Sequence, residues 1–205
     1  MRAAGADPTG RQHQPPAVED LTATQRARRA RIVDAAIGLM LTVDHSRIQM
    51  KDVTAAAGVA LGTTYRYFAS KDHLLAEALL AWSERFPAVG PAAVPTRSVD
   101  QLKAAYRYAV RAFEPHPTAY DTMTALQRTT DPFAVAAYEE FARRRTTAFA
   151  AFIPGIPSPT REDIVMVMSS VLDNQLRMWA LGRHPIADVY RALDVTAELL
   201  LGDEG

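Results

Sequence analysis

The stretch AAAGVALGTTYRYFASKDHLL, residues 55–75, decides how the whole chain is read. Met50, Val53 and Ala57 mark one face of a short helix, and Gly58 can end it because glycine accepts the left-handed C′ conformation. Only VALG, residues 59–62, leads into the next helical stretch, GTTYRYF. Ser70 is a good N-cap for a further helix, whose Leu74, Leu75, Ala78, Leu79 and Trp82 share an apolar face. Two helices joined by a tight glycine turn are the parts of a helix-turn-helix. Thr63, Thr64, Tyr65, Arg66, Tyr67 and Lys71 crowd hydroxyls and cations onto the second helix and just beyond it, a chemistry that suits phosphates and base edges.

Working outward, Thr22 and Gln25 have capping-box spacing, and Ile32, Ala36, Leu39, Met40 and Val43 follow at helical intervals, predicting a first helix over about 24–41. Residues 1–20 have no apolar period and read as a flexible arm. On the other side, PAVGPAAVPT, residues 87–96, is rich in proline and uncharged, so a helix cannot cross it and a linker is expected over 86–97. Five more helical patterns follow, over 99–113, 118–129, 132–152, 160–181 and 185–201. Asp131 and Pro132 read as N-cap and N1, Pro185 as a second N1, and Gly182 and Gly202 as C′ glycines. No segment reads as a strand, so the fold class is all-α. Its expected divisions are an arm (1–20), a helix-turn-helix domain (21–85), a linker (86–97) and a second helical domain (98–205).

Composition narrows the function. The formal net charge is zero, but residues 21–71 hold eight Lys and Arg against three Asp, a net +5. Such asymmetry is expected when one module faces a polyanion. There is no cysteine, which excludes disulfides, thiolate nucleophiles and zinc sites built on Cys. The five histidines, His13, His45, His73, His116 and His184, are scattered, and no HExxH, GxSxG, Walker or Rossmann glycine pattern occurs. A non-enzyme with no metal and no cofactor is expected. The start of the chain lacks the apolar core of a signal peptide and no stretch reaches the length of a membrane span, so a cytoplasmic protein is expected.

GVALGTTYRYFASKDHLL resembles the DNA-binding signature of TetR-family repressors, and the helices before it have the matching lengths and order, over roughly residues 21–80. LTATQRARRARI in the first helix, QM before the second and GTTYRYF in the third are also similar to the actinobacterial repressors of cholesterol catabolism. The resemblance implies that the third helix lies in the major groove, with Leu61, Gly62, Thr63, Tyr65, Tyr67 and Lys71 at the contacting places. Gln49 stands where the family usually has threonine and can still donate to a phosphate. Ala60 replaces a frequent serine, and Thr64 a leucine that packs inward. Aromatics at helical spacing are often simply core; Phe68 is assigned there, and Tyr65 and Tyr67 to DNA.

TetR-type dimers pair through their last two helices, so the resemblance puts a homodimer interface at Ile164, Val167, Met168, Val171, Gln175, Met178, Trp179, Val189, Leu193, Thr196, Leu199 and Leu200. Tyr106, Phe113, Met123, Leu126, Phe133, Tyr138, Phe141, Phe149 and Phe152 supply enough aromatic and soft surface to line an apolar cavity, with Asn174 a polar neighbour; ordinary core is the alternative for each. A small hydrophobic effector, a steroid-derived or fatty acyl-CoA, is what the likeness implies. The expected partners are double-stranded operator DNA, a second copy of the chain and that effector. The rival reading is a helical module that binds DNA without sequence preference, or binds an acidic protein.

Overall fold

The computed structural model describes residues 14–85 and 97–202. The first thirteen residues of the expected arm and most of the expected linker lie outside the described residues. The described ones form nine α-helices and no strand: α1 (Ala23–Met40), α2 (Met50–Ala57), α3 (Leu61–Tyr67), α4 (Lys71–Ser83), α5 (Ser98–Phe113), α6 (Pro117–Leu126), α7 (Pro132–Ala150), α8 (Thr160–Ala180) and α9 (Ile186–Leu201). Short 3₁₀ turns at Val18–Asp20 and His45–Arg47 were not foreseen.

The local chemistry explains most boundaries. At α1 the capping box closes: Thr22 Oγ1 accepts from the Gln25 N–H at 3.3 Å and Gln25 Oε1 from the Thr22 N–H at 2.8 Å. Gly58 ends α2 at φ +64°, and the Ser70 hydroxyl accepts from the His73 N–H at 3.0 Å to start α4. Asp131 caps α7 by accepting from the N–H groups of Phe133 and Ala134 at 2.8 and 3.1 Å, with Pro132 at N1. Two expectations fail. Pro185 is the N-cap of α9, extended at ψ 158°, and not its first residue. Gly202 has φ −70° where Gly182 has +67°, so only Gly182 is a left-handed terminator; Gly202 simply prolongs the last turn.

One continuous apolar core runs through all nine helices. α4 joins the two halves, packing on α1 on one side and along α7 on the other. Around its start lies a polar joint. The His45 N–H donates to the Asp121 carboxylate at 2.9 Å, Lys71 Nζ donates to the His45 carbonyl at 3.0 Å, and Thr129 Oγ1 donates to Asp72 at 2.9 Å. His73 stacks on Phe133 from α7, ring centroids 5.4 Å apart, and meets Phe68 edge-on at 5.5 Å. Burial raises the Asp131 carboxyl, but the Ser70 hydroxyl and the N–H groups of Ala134 and Phe133 outweigh it and hold it low. The caps of α4 and α7 are thereby tied together.

Candidate functional site

α3 is only seven residues long, so its two faces are easily separated. The inner face carries Thr64 and Tyr67, with Phe68 just beyond, all inside the core. The outer face carries Leu61, 45% exposed, and Tyr65, 44% exposed. Gly62, Tyr65, Arg66 and Ala69 border a shallow open hollow. Beyond its chain neighbours and its own helix backbone, a Cβ at Gly62 would meet no described atom within 4 Å, so packing among the described residues does not require glycine there; a close approach from outside would. Thr63 is half-buried beside Gly62, and Gln49 is exposed at the N-cap of α2 with its side chain making no cap bond.

Two expected contacts sit differently. Tyr67 is 2% exposed and its hydroxyl is covered; the residue lies three positions after Thr64, on the inward stripe of a helix too short to present both tyrosines. It is core here and does not reach the outer face. Lys71 is half-buried, and one of its three ammonium donors is already engaged by the His45 carbonyl. Thr64, fully buried where a larger apolar residue is usual, leaves its hydroxyl without a partner.

A cavity of about 290 Å³ opens between α4, α5, α7 and α8. Trp82, Phe113, Phe141, Phe149, Phe152, Leu172 and Leu176 form its apolar walls, and Ala105, Ala109, Ala112 and Ala148 leave the space. The polar groups in the wall are Ser83, Glu84, Tyr108, Arg144, Arg145 and Asp173. Arg145 and Asp173 close on each other through two bonds of 3.0 and 3.2 Å, and Arg145 lies 5.7 Å over the Phe141 ring. Burial would weaken the charge on Arg145, but Asp173 outweighs it and raises its pKa further.

Of the residues expected to line a cavity, Phe113, Phe141, Phe149 and Phe152 do so. Tyr106 stands just behind the wall, stacked on Phe149 at 4.0 Å, with its hydroxyl within 3.1 Å of both the Val165 carbonyl and Ser169 Oγ; burial pushes that phenol well above its ordinary pKa. Met123 and Leu126 are filled core. Phe133 belongs to the joint with His73, and the Tyr138 hydroxyl accepts from Gln127 at 3.0 Å. Asn174 is exposed, accepting from Arg177 at 2.8 Å on the far side of α8. The signal that could have found the cavity is Ala105, Ala109 and Ala112 at helical spacing opposite aromatics.

The expected pairing face of α8 and α9 also needs correction. Ile164, Met168, Val189 and Leu193 are buried within the chain itself and cannot touch a second copy. The outer face presents Met166, Val167, Leu181, Val195 and Leu199, the last 82% exposed. Val171, Gln175, Met178, Trp179, Thr196 and Leu200 are half-buried at its margins.

A family profile described as bacterial regulatory proteins, tetR family, matches residues 32–78. The HTH-type transcriptional repressor KstR of Rhodococcus jostii is 32% identical over 187 residues, 90% of this chain and 88% of that protein. The chain belongs to the TetR family.

KstR of Mycobacterium tuberculosis is 32% identical over 88% of this chain and 83% of that protein. The likeness to the cholesterol-catabolism repressor read from α1 and α3 therefore extends over most of the sequence. A TetR transcriptional regulator from Rhodococcus superposes with a TM-score of 0.75 at 25% identity, covering 89% of this chain and all of that one. FadR of Bacillus subtilis, solved in complex with stearoyl-CoA, shares the fold at a TM-score of 0.65 and 14% identity, over 86% of this chain and 99% of that one. As a TetR-family member this chain is a DNA-binding transcriptional regulator. Among the described residues no helix is long and apolar enough to cross a membrane, and no three His, Asp or Glu side chains gather as metal ligands.

Proposed function

We propose that the chain is a ligand-responsive repressor that binds a near-palindromic operator as a homodimer and leaves it when a small hydrophobic effector fills the cavity. The observation that carries this reading is the division of α3 into an inner face locked in the core and an outer face that leaves Leu61 and Tyr65 free. On this reading Leu61, Gly62, Thr63 and Tyr65 meet the major groove, while Gln49 and the remaining donors of Lys71 hold phosphates. The outer face of α8 and α9, from Val167 to Leu199, pairs two copies, and two-fold symmetry sets two α3 helices on half-sites. The apolar cavity suits the tail of a steroid-derived or fatty acyl-CoA, and the stearoyl-CoA complex of a protein with this fold supports that class. At about 290 Å³ it has room for the tail and leaves the nucleotide outside.

The test is binding to genomic DNA flanking the chain's own gene, at two salt concentrations and with unrelated competitor DNA. One near-palindromic site should survive competitor and be lost in Tyr65→Ala, by about 10-fold or more, since a good base contact is worth about 1–3 kcal/mol. Weak binding that ignores sequence and vanishes with salt would instead support the unspecific module.

A further inference from the structure

The mouth of the cavity carries an ion pair whose two halves belong to the two parts of the molecule. Glu84 is the C-cap of α4 and Arg144 stands in the middle of α7. Both line the cavity, and the Arg144 guanidinium donates to Glu84 through Nη1 and to Glu140 through Nε. The other cation of the wall, Arg145, is closed in a two-bond pair with Asp173. Arg144, its side chain 47% exposed, is the cation of the wall that faces solvent at the mouth. Glu84 is poorly placed without it, because a negative charge at the C-terminal end of a helix opposes the helix dipole.

We propose that Arg144 reads the anionic group of the effector and gives up Glu84 in doing so. The proposal rests on the cavity being the effector site. An apolar body against Trp82, Phe149 and Leu172 brings its negative end to Arg144. For Arg144 one anion replaces another. Glu84 is left at the negative end of α4 without Arg144 as its counter-ion, and the ion pair that ties the end of α4 to α7 is lost. The specific occupant is therefore an apolar molecule with a single anionic end, a free carboxylate or the phosphates of a thioester, and an uncharged molecule of equal length is a poor substitute.

The test is calorimetric titration of the whole chain, without DNA, with decanoate, decanoyl-CoA and decan-1-ol, each below its micellar concentration. In the wild type at least one anionic probe is expected to bind about 10-fold more tightly than the alcohol; which one does so tells carboxylate from phosphate. Arg144→Gln should bring all three within about 3-fold while alcohol binding persists, the sign that the cavity is intact. Glu84→Gln should tighten the anionic probes about 3-fold and leave the alcohol unchanged. The proposal is overturned if the alcohol binds as well as both anions, if the preference survives Arg144→Gln, or if no probe binds. A chain that finds its operator but fails these titrations loses this inference alone. A chain that passes them and ignores every operator loses the repressor reading alone.

Discussion

The two halves of the molecule use their alanines in opposite ways. In the first four helices Ala36, Ala76 and Ala78 are fully buried, in a core they share with the fully buried Ile32, Leu74, Leu75 and Leu79. Between α5 and α7, Ala105, Ala109, Ala112 and Ala148 face aromatics across a space that no described side chain fills. A filled core resists deformation, whereas the lining of an empty space has lost its contacts on one side and can rearrange. The first half is thus built to hold one shape and the second to accept more than one.

The contrast can be tested through its strongest local tie. Burial would raise the Glu77 carboxyl, but the His73 imidazole 3.8 Å away and the Arg29 guanidinium at 2.7 Å outweigh it and hold the pKa at about 2, against 4.5 ordinarily. A lowered pKa stabilises the fold above about pH 4.5, and that stability drains away as pH falls towards 2. Glu77→Gln should cost up to about 3 kcal/mol at neutral pH and flatten the acid dependence over this window. Denaturant melts at stepped pH decide it; an unchanged acid slope would break the argument.

A smaller effect separates the alanines directly. Ala78→Leu should cost about 1–3 kcal/mol by overpacking a filled site. Ala109→Leu should stay within about 1 kcal/mol of the wild type, on either side, because its added atoms enter existing space. Equal costs in thermal melts would erase the distinction between the halves. The smallest effect concerns the inner face of α3, where the hydroxyls of Thr64 and Tyr67 are buried without partners. Thr64→Val and Tyr67→Phe should each be neutral or stabilise by about 1 kcal/mol, since an unsatisfied buried hydroxyl is removed. Tyr67→Phe should also leave operator affinity within about 2-fold; a large loss there would return Tyr67 to the DNA face.

The same contrast explains how far the chain could be read from its sequence. Helix positions followed from capping chemistry and period, so Thr22, Gly58, Ser70 and Asp131 all serve as expected. The outer face of α3 was legible because a seven-residue helix has one apolar stripe and whatever is left faces out. It misled only at Tyr67, whose hydroxyl made a core residue look like a surface one. α8 and α9 are apolar on more than one face, and periodicity gives no rule for which face turns inward. Ile164, Met168, Val189 and Leu193 were therefore assigned to a partner when they fill the chain's own core. The cavity was hardest of all, since a void is made by what is missing. Large residues such as Met123 and Leu126 carry the apolar signal, while Ala105 and Ala109 make the space.

The length of α4 has a mechanical meaning. Its thirteen residues span about 20 Å at 1.5 Å per residue. It runs from Lys71, three residues past the end of α3, to the cavity mouth at Glu84, and packs along α7. If α4 pivots at its cavity end, a tilt of about 5° would carry the α3 end about 1.7 Å, and two copies paired as proposed above and moving apart would add about 3.4 Å, the rise of one base pair. On the proposed reading, a small tilt that starts at the cavity end of a single helix would become a register error of one step on the DNA.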